Sequence, residues 1–118
     1  MAGEIPDGLA IEQVWVVEAI YGPDAAERRS AVRAEHLARM AELHAAGTII
    51  EVGGYADMSG SLILVRLPGE EAVSALVRAD IYFRTGVWTG FRIRALGRLV
   101  RIGEDSGVEL ARGYGKET

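Results

Sequence analysis

A chain of 118 residues has room for one domain and one main core, and its 49% hydrophobic and 25% charged residues are ordinary for a globular fold. A net charge of -4 excludes a general nucleic-acid binder, which needs a basic surface to neutralise phosphates, and the absence of cysteine excludes disulfides, thiolate metal sites and a thiol nucleophile. No apolar run approaches the roughly 18 residues of a membrane span, and Met1–Glu12 lacks the basic start and apolar stretch of a secretory leader, so a cytoplasmic protein is expected.

The first twelve residues carry Gly3, Pro6, Asp7 and Gly8 and read as an extended lead-in. Residues 13–21 (Val14, Trp15, Val16, Val17, Ile20, Tyr21) are rich in β-formers and predict a first strand. Its apolar residues do not alternate cleanly, so both of its faces should be covered. Gly22-Pro23-Asp24 breaks the chain, Asp24 is placed to cap a helix with Glu27 in the reciprocal position, and Gly47 is placed to end that helix after Ala46. A second strand is expected over 48–53 and a third over 61–67, joined by a short turn and therefore antiparallel. Pro68-Gly69 breaks again, and Glu70 and Glu71 favour the start of a second helix over 70–79. The last strand is expected over 88–99. Phe91, Ile93, Ala95, Gly97 and Leu99 point one way; Arg92, Arg94, Leu96 and Arg98 point the other, as a solvated face or the rim of an interface.

This order, βαββαβ, predicts an α+β, ferredoxin-like sandwich: an antiparallel sheet with two helices on one face. The divisions are a lead-in over 1–12, the domain over 13–99 and a tail over 100–118. The other sheet face would be bare, and first-strand residues such as Trp15 and Val17 make a bare face costly. A second copy covering it is the simplest remedy, so a homodimer is expected.

Chemistry is concentrated on the first helix. At about 100° per residue, Ala25, Val32, Met40 and Leu43 fall within roughly 40° of His36, on the face that must meet the sheet. Arg29 and Arg33 fall in the same sector, at about 20° and 60° by the same rule, whereas Glu35, Glu42, Arg28 and Arg39 take more solvated sides. Buried charge must be paired. Asp80 supplies an acceptor: one residue beyond the second helix, it would lie on that helix's apolar face, within reach of His36. An aspartate beside an imidazole fixes its tautomer and suits general acid–base work. Arg33 and Arg29 would then hold an anionic group. Tyr82 and Ser61 are candidate ligand contacts; His44 is a weaker one at the edge of the face. A metal is not expected, because His36 and Asp80 are too few ligands. Gly53, Gly54 and Gly60 lack phosphate-loop spacing and read as turn glycines whose amides could line a cleft.

Several segments together resemble the YciI-like proteins: Arg29–Gly47, Gly53-Gly54, Gly60-Ser61, Ala79-Asp80-Ile81-Tyr82, Thr85-Gly86-Val87 and the final alternating strand. The resemblance covers about residues 13–99. It implies a ferredoxin-like fold that pairs through sheet faces into a dimeric α+β barrel, with a His and an Asp in a cleft, matching His36 and Asp80, and a helix arginine, matching Arg33. One branch removes chloride from a chlorinated lactone; related barrels isomerise lactones or oxidise aromatic substrates. This chain departs at Ile81 and at Gly54, where such proteins usually carry proline. Residues and resemblance together lead to the expectation of a small cofactor-independent enzyme. Its His–Asp pair would perform acid–base isomerisation or elimination on a small anionic organic acid or lactone. The alternatives are a non-catalytic ligand-binding or accessory homodimer and a cofactor-free oxygenase. No nucleic-acid or membrane partner is expected.

Overall fold

Strand β1, Leu9–Tyr21, is the spine of the sheet, because residues 60–65 pair with one of its edges and residues 88–101 with the other. A computed structural model describes residues 4–103. After β1 come α1 (Ala25–Ala45), β2 (Ile49–Gly54), β3 (Gly60–Val65), α2 (Glu70–Arg78), a short α3 (Ile81–Arg84) and β4 (Trp88–Arg101). The strands run in the order β2-β3-β1-β4, antiparallel throughout. This is the ferredoxin-like α+β arrangement expected from the sequence, with α3 added. Among the described residues no helix is long and apolar enough to cross a membrane.

Local chemistry explains most boundaries. Gly47 adopts φ 82°, and the amides of Gly47 and Thr48 bond back to the carbonyls of His44 and Leu43, the paired bonds of a Schellman stop. The predicted cap at the other end does not form. Asp24 makes no side-chain capping bond; its carboxylate instead faces Arg28 at 3.9 Å, where both groups are exposed to water. The strand ends also differ. β1 begins at Leu9 rather than residue 13, because residues 9–14 continue the ladder with β4 beyond the end of β3. Glu12, read as lead-in, is buried and receives Arg66 Nε at 2.6 Å and Arg98 Nη1 at 3.2 Å. Beyond residue 103, the expected tail lies outside the described residues.

The register separates the two sheet faces. Trp15, Val17, Ala19 and Tyr21 share one face with Ile63, Val65, Phe91 and Ile93, and these pack against Ala25, Val32, Met40 and Leu43 of α1 and Val73 and Val77 of α2. Trp15 and Val17 therefore both face the helices, contrary to their expected role as the bare face. The helix-free face carries Val14, Val16, Leu62, Leu64 and Leu96, together with Glu18, Arg92 and Arg94.

Gly60 opens β3 where two backbones come close. A Cβ there would be driven into the Ala19 carbonyl, which the β1–β3 ladder holds in place. Gly60→Ala is expected to cost about 1–3 kcal/mol, the range for forced overpacking, read as a lower urea midpoint. An unchanged midpoint would contradict this packing.

Candidate active site

The site begins where α2 stops. Asp80 does not extend α2 as the sequence suggested; it turns to an extended backbone (φ -74°, ψ 141°) and caps α3. Its Oδ1 accepts the Tyr82 amide at 2.9 Å, as an N-cap carboxylate should. The same oxygen accepts Nδ1–H of His36 at 2.8 Å, and Oδ2 accepts Arg39 Nη1 at 2.8 Å. Asp80 is fully buried. Burial alone would push its carboxyl up. The His36 bond, the Tyr82 amide, the His36 charge and Arg39 outweigh that and hold it below the ordinary carboxylate range.

Because an ionised carboxylate only accepts, the proton of the His36–Asp80 contact sits on Nδ1, which leaves Nε2 as the free end of the ring. No described group hydrogen-bonds Nε2, and His36 lines a cleft of about 320 Å³. Packing fixes the ring plane. Tyr82 stacks on it at 3.7 Å between centroids and 8° between planes, and Trp88 meets both rings edge-on at 5.5 and 5.6 Å. Trp88 is itself buried, with an indole N–H that no described group accepts. Such a buried donor costs about 1–3 kcal/mol, so the aromatic contacts around His36 are held against an opposing term.

Arg29, Arg33, Tyr82 and Ser61 all reach the cleft, as does His36; Asp80 stands behind the imidazole. The two arginines are not buried, however. Arg33 is exposed and Arg29 partly so, the latter 6.0 Å over the Tyr21 ring. Long stems carry their charges to the wet rim. The arginine paired with the buried aspartate is Arg39, which the helix pattern had put on a solvated side. It also donates to the Leu76 carbonyl at 3.2 Å, joining α1 to the end of α2. Its signal was present in the sequence: Arg39 lies three residues after His36 and Arg33 three before, so both sit about 60° from it. His44 is exposed and outside the cleft lining. Tyr21 and Tyr55, not singled out from sequence, line the cleft, as do Gly53 and Gly54, which end β2 rather than form a turn. Burial raises the Tyr82 phenol, Tyr21 adds to this, and Arg29 and Arg33 oppose it. The phenol therefore stays protonated and able to donate. Among the described residues no group of three metal-ligating side chains gathers here.

Residues 14–96 match the family described as the YCII-related domain. Protein YciI of Escherichia coli and Protein YciI of Shigella flexneri are each 32% identical over 85 residues, covering 64% of this chain and 87% of the relative. Among solved structures, 5-chloro-2-hydroxyhydroquinone dehydrochlorinase of Burkholderia phenoliruptrix, complexed with 2,5-dihydroxybenzoquinone, superposes with a TM-score of 0.59. It is 20% identical and the match covers 69% of this chain and 90% of that one.

Breaking a buried ion pair from one side strands its partner. Asp80→Ala is expected to lose about 3–5 kcal/mol, measured by urea unfolding. A carboxyl whose folded pKa is depressed stabilises the fold above its unfolded value of about 3.9, and that stabilisation disappears as pH falls through the folded pKa. Unfolding free energy should therefore decline more steeply below about pH 4 in the unaltered protein than in Asp80→Asn. Parallel curves would remove Asp80 as the ionised centre of the network.

Proposed function

The chain belongs to the YCII-related domain family, and we propose that it is a small enzyme of proton-transfer type. In this reading His36 Nε2 exchanges a proton with the substrate as general base or acid, and Asp80 orients the ring. Arg33, helped by Arg29, binds an anionic group of a small organic acid or lactone. The reaction would be an isomerisation or elimination with no cofactor. The observation that carries it is the 2.8 Å His36–Asp80 bond behind an imidazole whose other nitrogen opens onto a cleft rimmed by two arginines. An Asp-oriented imidazole is a general acid–base unit, and guanidinium groups stabilise carboxylate or enolate charge. The dehydrochlorinase of similar fold lends support to small-molecule elimination chemistry.

We further propose that two copies pair through the helix-free sheet face, which would cover Val16, Leu62, Leu64 and Leu96, and that the dimer works in the cytoplasm. A second reading, a non-catalytic binding dimer, draws on the three bonds that saturate Asp80, since such a network also serves stability alone. A cofactor-free oxygenase for large aromatic substrates fits less well, because about 320 Å³ is at the small end of ligand sites.

A thermal-shift screen of small carboxylates and lactones, followed by turnover assays on the hits, separates the first two readings. His36→Ala is expected to lower turnover about 10²–10⁴-fold while the fold survives. A variant that is destabilised yet keeps the full ligand response and turnover would favour the non-catalytic reading. Light scattering on micromolar protein is expected to give a dimer, with Val16→Asp monomeric; a monomeric unaltered protein would end the pairing proposal.

A further inference from the structure

Ser61 is 4% exposed, and its hydroxyl has one described side-chain partner, the Tyr21 hydroxyl at 3.4 Å. Good O–H···O bonds are about 2.7–2.8 Å, so this contact is weak. Both oxygens keep unused donor and acceptor capacity, which a buried hydroxyl does not normally retain. Both residues line the cleft that holds His36.

Gly54 keeps the Tyr21 side of this pair open. It is the register partner of Ser61 across β2 and β3, and it lines the same cleft. A Cβ at this position would stand 3.5 Å from the Tyr21 hydroxyl, an ordinary contact with no clash. The fold therefore tolerates a Cβ there, but that Cβ would stand against the Tyr21 hydroxyl.

We propose that Tyr21 Oη, left open by Gly54, and Ser61 Oγ form a subsite for an uncharged oxygen of the ligand, a hydroxyl or a carbonyl. Its charged group goes to Arg29 and Arg33. The inference rests on the anion-binding reading of the cleft and narrows the ligand class to hydroxy or oxo acids. A ligand oxygen between the two hydroxyls replaces one long bond with two of better length. Tyr21 and Gly54 become determinants of specificity, because a site built to hydrogen-bond an oxygen discriminates against the analogue without it.

The test compares benzoate with 3- and 4-hydroxybenzoate by calorimetric titration on the unaltered protein, Tyr21→Phe and Gly54→Ala. At least one hydroxybenzoate is expected to bind the unaltered protein roughly 10-fold more tightly than benzoate, the worth of one good hydrogen bond. Tyr21→Phe should bring that ratio close to one, and Gly54→Ala should reduce it by crowding the same oxygen. Circular dichroism melts check that both variants are folded. Were Gly54→Ala unfolded, Tyr21→Phe alone would decide. Benzoate binding with no preference for either hydroxybenzoate, or a preference that survives Tyr21→Phe, overturns the subsite and leaves the arginine reading standing. Failure of all three acids to bind overturns both.

Discussion

A single carboxylate inside the protein organises both its fold and its candidate site. Asp80 gathers the imidazole and a guanidinium from α1 and the Tyr82 amide of α3, while Arg39 ties in the last turn of α2. A buried charge of this kind contributes little net stability compared with an apolar replacement, but it is expensive to leave half-paired. Its effect is to fix geometry. The three helices meet at one point because any other arrangement leaves the carboxylate without donors. The same bond holds the His36 proton on Nδ1 and leaves Nε2 for the cleft that His36 lines.

Much of this was legible in the residues. The pairing of His36 with Asp80 follows from helical periodicity, since a polar residue among Ala25, Val32 and Met40 has to find an acceptor. The choice of arginine was not legible. Arg33 and Arg39 stand symmetrically about His36 on the helix, and what separates them is the side on which the α2–α3 corner packs, a tertiary fact. α3 was also beyond reach: four residues are too few to show a period, and the aspartate that starts it was read as the end of the preceding helix. Asp24 illustrates the opposite failure. A residue type favoured at helix starts was present, but its backbone (φ -101°, ψ 18°) is not the extended one that lets the side chain turn back to the first-turn amides.

The two faces of the sheet show how a central strand conceals its alternation. In β1 both parities are largely apolar between Val14 and Val17, so the sequence could not say which residues met the helices. Pairing settles it: Trp15 and Val17 belong with Ile63 and Val65, whereas Val14 and Val16 lie opposite Leu96 and Leu64. The early start of β1 has a related cause. Ala10 and Ile11 have little strand signal by themselves, and they are extended because the long β4 continues alongside them. The strands beside β1 set its limits more than its own composition does.

Trp88 has one further consequence. Its indole lies edge-on against both the His36 and Tyr82 rings, while the chain's other tryptophan, Trp15, donates to the Leu67 carbonyl. Indole emission depends strongly on the charge and polarity of adjoining rings, so the protein carries an intrinsic optical reporter beside its own imidazole. Ligand arrival at Nε2 should register as a change in fluorescence without any added dye, and retention of the full change in Trp88→Phe would assign the signal elsewhere.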